Sequence, residues 1–219
     1  MSDIQAVLFD LDGTLVDSNE AHVEVWERVF RDSGHPVEQE RIRGQIGKGG
    51  DLLVPTLLPD LDEAEQEQLA DRHGEVFGNG WLDRIAPFPA AHRLLAAVHA
   101  RGLKVVLASS ASKAELKHYM DLLDAGKLVA AHTAIDDVGT SKPAPDIFGT
   151  ALEKVGVAPE HALVVGDTPY DIDAARKAGI ATVAVRSGGF SDDALSGAIA
   201  IYDDVADLLA RLETSPLVR

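Results

Sequence analysis

Hydrophobic positions along the chain fall into two regimes. From residue 87 onward, with an outlier at residues 6–9, short unbroken apolar runs alternate with segments of helical period. The runs cover residues 6–9, 104–108, 162–165 and 181–185, and each stops at a small or polar residue. Apolar runs of that length without alternation are what strands buried on both faces leave in a sequence. Two weaker strands are expected at 132–135 and 198–201. Helices are expected at 90–100, 112–123, 147–155, 171–178 and 204–212, with Gly102 and Gly179 at the C-terminal ends of the first and fourth. Strand and helix in alternation imply an α/β fold with a mostly parallel sheet covered on both faces.

Residues 17–86 read differently, with helical patterning throughout and no convincing strand. Residues 21–31 place Val23, Val25, Trp26, Val29 and Phe30 largely on one face, and Ser33-Gly34-His35-Pro36 closes the segment. A second helical stretch covers 37–46, a glycine-rich turn covers 44–50 and a short helix covers 52–58. An acidic helix then opens near Leu61, with Asp62 at its N-cap, and runs to about Phe77. The expected organisation is a core of residues 1–16 and 87–219, interrupted after its first strand by a helical domain of residues 17–86. An insert placed there lands over the carboxyl end of that strand.

Composition narrows the class without changing the picture. The 219 residues are 46% hydrophobic and 26% charged, values ordinary for a globular protein. No apolar run approaches the roughly 20 residues of a membrane span, and no charged-then-apolar signal precedes the first strand, so a cytoplasmic location is expected. Zero cysteines exclude disulfides and thiolate chemistry and fit a reducing compartment. The formal net charge is −16 with no visible basic patch, which argues against nucleic acid or an anionic membrane as partner. Oligomeric state is not legible.

The chemistry sits at strand ends. The first strand stops at Asp10-Leu11-Asp12-Gly13, two carboxylates at i and i+2. Taken alone, Asp12-Gly13 reads as an ordinary Asx-turn. The second strong strand ends at Ser109-Ser110, the loop before the 147–155 helix carries Lys142, and the third strong strand ends at Asp167 with Asp171 four residues on. In an open parallel sheet these termini share one edge, and ligands bind there. Carboxylates clustered without His or Cys suit a hard cation that keeps part of its water shell, which points to Mg²⁺. A lysine and a hydroxyl beside it suit a phosphoryl group. One carboxylate can then act as nucleophile and the second as general acid and base.

These residues also carry a family resemblance. Asp10-Leu11-Asp12-Gly13-Thr14, a serine closing the 104–108 strand, Lys142-Pro143 and Gly166-Asp167-Thr168-Pro169-Tyr170-Asp171 resemble, in order, the four motifs of the haloacid dehalogenase superfamily. The resemblance spans residues 7–190 and implies a Rossmann-like core with an inserted helical cap. It makes Asp10 the nucleophile, Asp12 the general acid and base, and Ser109 and Lys142 the phosphoryl holders, with Ser110 as the alternative hydroxyl. Asp10, the Asp12 carbonyl and Asp167 are the implied Mg²⁺ ligands, with Asp171 behind them or reaching the ion through water. The acid at position 12 points to phosphoryl transfer rather than dehalogenation. Ala21-His22, Trp26 and Lys142-Pro143-Ala144-Pro145-Asp146 resemble the β-phosphoglucomutase and phosphoglycolate phosphatase branches.

The expected activity is a Mg²⁺-dependent phosphatase acting on a small phosphorylated metabolite. A sugar-phosphate mutase is the alternative, set second because the glycine-rich loop offers Lys48 where the resemblance implies an arginine. A phospho-accepting receiver, about half this length, and a non-catalytic binder are weaker readings. His22, just past the first strand, and Lys48 are the candidates for closure and substrate choice. Trp26 and Phe30 are expected to be core, and Arg186 structural.

Overall fold

In the computed structural model, which describes residues 4–218, a six-stranded parallel sheet has the order β5-β4-β1-β6-β7-β8. The strands are β1 (Ala6–Phe9), β4 (Lys104–Ala108), β5 (Val129–Thr133), β6 (Ala162–Gly166), β7 (Ala181–Val185) and β8 (Ala200–Tyr202). β1 lies inside the sheet, paired with β4 and β6, and all four of its residues are fully buried. Its alternate side chains serve opposite faces. Val7 and Phe9 join a cluster with Leu94, Val98, Val205 and Leu208, while Ala6 and Leu8 pack with Ile147, Phe148, Ala151 and Ala175. One face is therefore covered by α5 (Ala91–Ala100) and α9 (Val205–Ala210), the other by α7 (Asp146–Val155) and α8 (Pro169–Lys177). Burial on both faces is why β1 reads as an unbroken apolar run.

Four helices lie between β1 and residue 86: α1 (Asn19–Asp32), α2 (Gln39–Arg43), α3 (Gly50–Leu57) and α4 (Glu63–Gly78). α4 starts with a capping box in which Asp62 accepts from the Glu65 N–H and Glu65 reaches back to the Asp62 N–H. α1 packs on α2 and α4, and α3 on α4. The chain enters and leaves this bundle through a small antiparallel ribbon, β2 (Val16–Asp17) on β3 (Ala86–Pro87), with Val16 opposite Pro87 and Asp17 opposite Ala86.

The expected α/β fold with a mostly parallel sheet is present, with local differences. The strand expected at 132–135 lies at Val129–Thr133, because the Ile135 N–H turns to the Ala111 carbonyl and Ile135–Asp137 form a 3₁₀ turn. The last strand is Ala200–Tyr202 rather than 198–201, and the final helix ends at Ala210 before a 3₁₀ turn. The helical stretch at 37–46 contracts to Gln39–Arg43. The two-residue ribbon was not expected at all, since strands that short carry no period.

Truncating Leu8, fully buried between Val106 and Val164 and two residues ahead of Asp10, tests the placement of β1. Leu8→Ala is expected to cost about 2–5 kcal/mol in urea denaturation; a loss below about 1 kcal/mol would contradict a close-packed central strand.

Candidate active site

The register of the sheet aligns the chemistry. Phe9 pairs with Leu107 on one side and Val165 on the other, so the next residues along β1, β4 and β6 emerge together at the carboxyl edge. The Asp10 N–H donates to the Val165 carbonyl (2.9 Å), which keeps Asp10 in the sheet while its side chain leaves it. The chain then turns sharply at Gly13, whose φ is +73°. A Cβ at Gly13 or at Gly188 would overlap the Asp167 carboxylate, so two glycine backbones close directly on that acid. The Ser187 hydroxyl donates to the Gly13 carbonyl (2.6 Å) and ties the two loops together.

Asp10, Asp167 and Asp171 each offer a carboxylate oxygen within 4.8 Å of the others, and all three are buried. Among them sits one cation. Lys142 Nζ lies 2.6 Å from Asp10 Oδ1 and 2.7 Å from Asp171 Oδ1, at 1% exposure. Burial works against the lysine's charge, but the two carboxylates outweigh it and hold its pKa above the usual range. Asp10 is pushed up to about 7 by burial, with Lys142 opposing and Asp171 adding to the rise. Asp167 is raised well above an ordinary carboxyl by burial and by Asp171 and Asp10, against the Thr14 hydroxyl that donates to it at 2.8 Å. Three acids facing one ammonium cannot all stay ionised out of water, so Asp10 and Asp167 hold their protons more tightly until a further cation takes the place of those protons. An all-oxygen donor set of this kind fits a hard divalent ion.

Asp171 has a second task, as the N3 residue of a capping box on α8. Its Oδ2 accepts from the Thr168 N–H (3.1 Å) and hydroxyl (2.6 Å). A helix start thus fixes the carboxylate that holds Lys142. The Asp12 side chain stands apart from the three acids. Its Oδ1 accepts from Ser18 Oγ (2.5 Å), Tyr119 OH (3.0 Å) and His22 Nε2 (3.2 Å). Burial opposes its ionisation, yet the bond and charge of His22 and the two hydroxyls bring its pKa down to about 2. Burial and then the Asp12 charge keep the Tyr119 phenol protonated, so it stays a donor.

A cavity of about 390 Å³ opens above these groups. Asp10, Asp12, Lys142, Ser109, Ser110, His22 and Lys48 all line it, while Asp167 and Asp171 lie behind its floor. Ser109 Oγ accepts from the Ala111 N–H (3.1 Å) and Ser110 Oγ is buried without a partner, so either hydroxyl can donate into the cavity. The N-cap of the following helix, α6 (Lys113–Leu122), is Ser112. Lys48 Nζ donates to Gln45 Oε1 (2.6 Å) and lies 4.8 Å from the Tyr170 ring centre. The glycine-rich loop is pinned to the loop that carries Lys142 and to the first turn of α8, which carries Asp171. The Gly49 N–H donates to Ser141 Oγ (3.0 Å), the Ser141 N–H to Asp51 Oδ2 (3.0 Å), and Tyr170 OH to the Gly44 carbonyl (2.5 Å).

Comparison with known proteins decides the family. A profile described as haloacid dehalogenase-like hydrolase matches residues 4–179. The chain belongs to that family. The phosphoglycolate phosphatase of Escherichia coli K12 is 32% identical over 238 residues, covering 96% of this chain and 93% of that protein. The crystal structure of a hydrolase from Pseudomonas syringae is 30% identical, with a TM-score of 0.89 over 96% of this chain and 98% of that one. A β-phosphoglucomutase-like structure from Bacteroides vulgatus is 26% identical, with a TM-score of 0.88 over 97% of this chain and 89% of that one. The chain is accordingly a phosphoric monoester hydrolase of the haloacid dehalogenase-like family. No described helix is long and apolar enough to cross a membrane.

Sequence reasoning missed Ser18, Thr14, Tyr119, Thr168 and His73. Tyr119 was within reach: Leu116 and Tyr119 share the buried face of α6, and a buried phenol needs a hydrogen-bond partner. Trp26, read as core, is 4% exposed but also lines the cavity. Arg186 pairs with Asp192 (2.7 Å) and Asp203 (2.6 Å), as a structural residue does.

The charge imbalance predicts stability changes of opposite sign in buffer free of divalent cations. Lys142→Met removes the one ammonium between two buried carboxylates and is expected to destabilise the protein by about 3–5 kcal/mol. Asp167→Asn removes part of the excess and is expected to stabilise it. Urea denaturation of both variants checks this, and a shared sign would contradict it.

Proposed function

We propose that the protein hydrolyses a small phosphorylated metabolite in two steps through Asp10, with Mg²⁺ as cofactor. The observation that carries this reading is the position of Asp10: a carboxylate at the cavity floor, 2.6 Å from a buried ammonium and within 4.8 Å of two further acids. A carboxylate so placed meets a phosphoryl group whose oxygens find Lys142 and the Ser109 or Ser110 hydroxyl. An Asp10 oxygen attacks phosphorus, the bond to the leaving oxygen breaks, and Asp12, which takes up a proton from solvent as the negative phosphate binds beside it, gives that proton to the leaving oxygen and releases an alcohol. A water molecule, losing its proton to Asp12, then attacks the phosphorus of the aspartyl-phosphate and frees Asp10 and inorganic phosphate. Asp10, Asp167 and the Asp12 carbonyl are the proposed Mg²⁺ ligands, with Asp171 orienting Lys142 and reaching the ion through water. When bound, the ion supplies positive charge toward the phosphoryl oxygens.

Residues 17–86 are proposed as a cap over a core of residues 1–16 and 87–219. The β2–β3 ribbon supports these boundaries, since the chain crosses between the two parts there. The contacts of Gly44, Gly49 and Asp51 with Tyr170 and Ser141 support a closed arrangement that keeps bulk water from the transfer. Lys48 and Lys142 are the cations lining the cavity, beside the acids Asp51, Asp71, Glu75 and Glu115. That lining favours a substrate with a single phosphate over one with two. The phosphatase relatives make phosphoglycolate the first compound to try.

A sugar-phosphate mutase is the second reading, favoured by the likeness to the Bacteroides vulgatus structure. Product analysis on a hexose 1-phosphate separates the two: free phosphate supports hydrolysis, and isomerised phosphate supports the mutase. With Mg²⁺ and p-nitrophenyl phosphate, Asp10→Asn is expected to lower turnover by about 10³-fold or more while the protein stays folded. Unchanged turnover would remove Asp10 as nucleophile. In a phosphate-release screen over phosphoglycolate, sugar phosphates and nucleotides, Lys48→Ala is expected to reorder the substrates, and an identical profile would remove Lys48 from specificity.

A further inference from the structure

Two helices of the bundle face each other with rings at matching intervals. α1 presents His22, Trp26 and Phe30, each four residues apart, and α4 presents His73 and Phe77 at the same spacing. The rings interleave as a ladder. Phe30 stacks on Trp26 (centres 5.2 Å), Trp26 on His73 (4.1 Å), His73 on His22 (5.3 Å) and His22 on Phe77 (4.0 Å), with interplanar angles of 25° or less. A histidine in such a stack could be packing alone, but the nitrogens of this one are not idle. His73 Nε2 lies 3.3 Å from His22 Nδ1, and His22 Nε2 lies 3.2 Å from Asp12 Oδ1. Asp12, His22 and His73 form one chain that ends on the proposed proton carrier.

The donor directions follow from the inventory of groups. Ionised or carrying its proton on Oδ2, Asp12 only accepts at Oδ1, so His22 Nε2 carries the hydrogen of that bond. A neutral His22 then has Nδ1 as an acceptor and needs a donor, whereas a charged His22 needs an acceptor at the same place. His73 meets both needs. Its ring is 8% exposed, burial and then the neighbouring His22 hold its pKa well below the usual value, and as a neutral imidazole it offers Nε2 as donor or acceptor according to tautomer. A phenylalanine there would fill the stack and leave Nδ1 of His22 unserved, which is costly for a buried polar atom and frees the imidazole to turn away from Asp12. The three donors to Asp12 all sit on Oδ1, which leaves Oδ2 for the substrate.

We infer that His73 is a positioning residue for the acid–base step: it holds His22 with Nε2–H on Asp12 Oδ1, and so keeps Oδ2 aimed at the leaving oxygen. The inference rests on the proposed role of Asp12 and adds to it a residue of the helical segment that lines the same cavity and reaches Asp12 through His22. Its consequence depends on the leaving group. An alkoxide needs a proton as it departs, and p-nitrophenolate does not. A defect in aiming Asp12 therefore weighs on alkyl phosphates.

The test compares kcat/KM on glycerol 2-phosphate and on p-nitrophenyl phosphate, both with Mg²⁺, because kcat/KM reports the steps through leaving-group departure. In His73→Phe the alkyl value is expected to fall about tenfold or more beyond the aryl value through kcat, with KM little changed, and His73→Gln, whose amide can donate or accept, is expected to restore the ratio to within about threefold. His73→Leu reads the same ratio should the stack reject phenylalanine. Equal losses on both substrates in a folded variant, or no rescue by glutamine, would overturn the role of His73 and leave the proposed hydrolysis standing. A wild-type protein inert toward both phosphates would remove the hydrolysis itself.

Discussion

Three carboxylates buried around a single ammonium are the constraint on which the rest of the structure turns. Removing charges from water is costly, and Lys142 offsets only part of what Asp10, Asp167 and Asp171 bring. The fold holds them together by several independent devices. Sheet register fixes Asp10, a helix start fixes Asp171, and two glycine backbones with the Thr14 hydroxyl enclose Asp167. Each device is ordinary structure on its own. Their coincidence at one strand edge produces a buried, all-oxygen acidic cluster beside one ammonium, the donor set that the proposed Mg²⁺ would use.

Asp12 shows the opposite electrostatic solution two residues away. It meets three donors and no neighbouring acid on its Oδ1, so its carboxylate stays low while that of Asp10 rises. Two acids on one turn thereby take different environments, which is the condition for different tasks. The donors come from three parts of the chain: Ser18 at the ribbon, His22 on α1 and Tyr119 on α6. The helical segment and the sheet core therefore meet at the carboxylate whose protonation the proposed reaction requires.

Much of this was legible before any coordinates. The strands β1, β4 and β7 lie where their apolar runs put them, and Asp10, Ser109, Lys142, Asp167 and Asp171 could be gathered because parallel strands end on a common edge. What escaped reading has a physical pattern. The β2–β3 ribbon is two residues long and has no period to detect. The supports of Asp12 are long-range side-chain contacts, such as Tyr119 at a separation of 107 residues, and periodicity does not encode them. His73 sits in a strongly acidic helix whose charges mask it, although Leu69, His73 and Phe77 repeat every four residues and form that helix's buried stripe. The edge strand β5 slipped by a few residues because Val129–Thr133 alternates between part-buried and exposed positions instead of forming an apolar run.

The central claim is that the uncompensated carboxylates are balanced by one divalent cation. Calorimetric titration of Mg²⁺ into the metal-free protein tests it most directly. One ion per chain in the wild type, with binding abolished or much weakened in Asp167→Asn, is the predicted result. No binding to the wild type, or equal binding to Asp167→Asn, would contradict it.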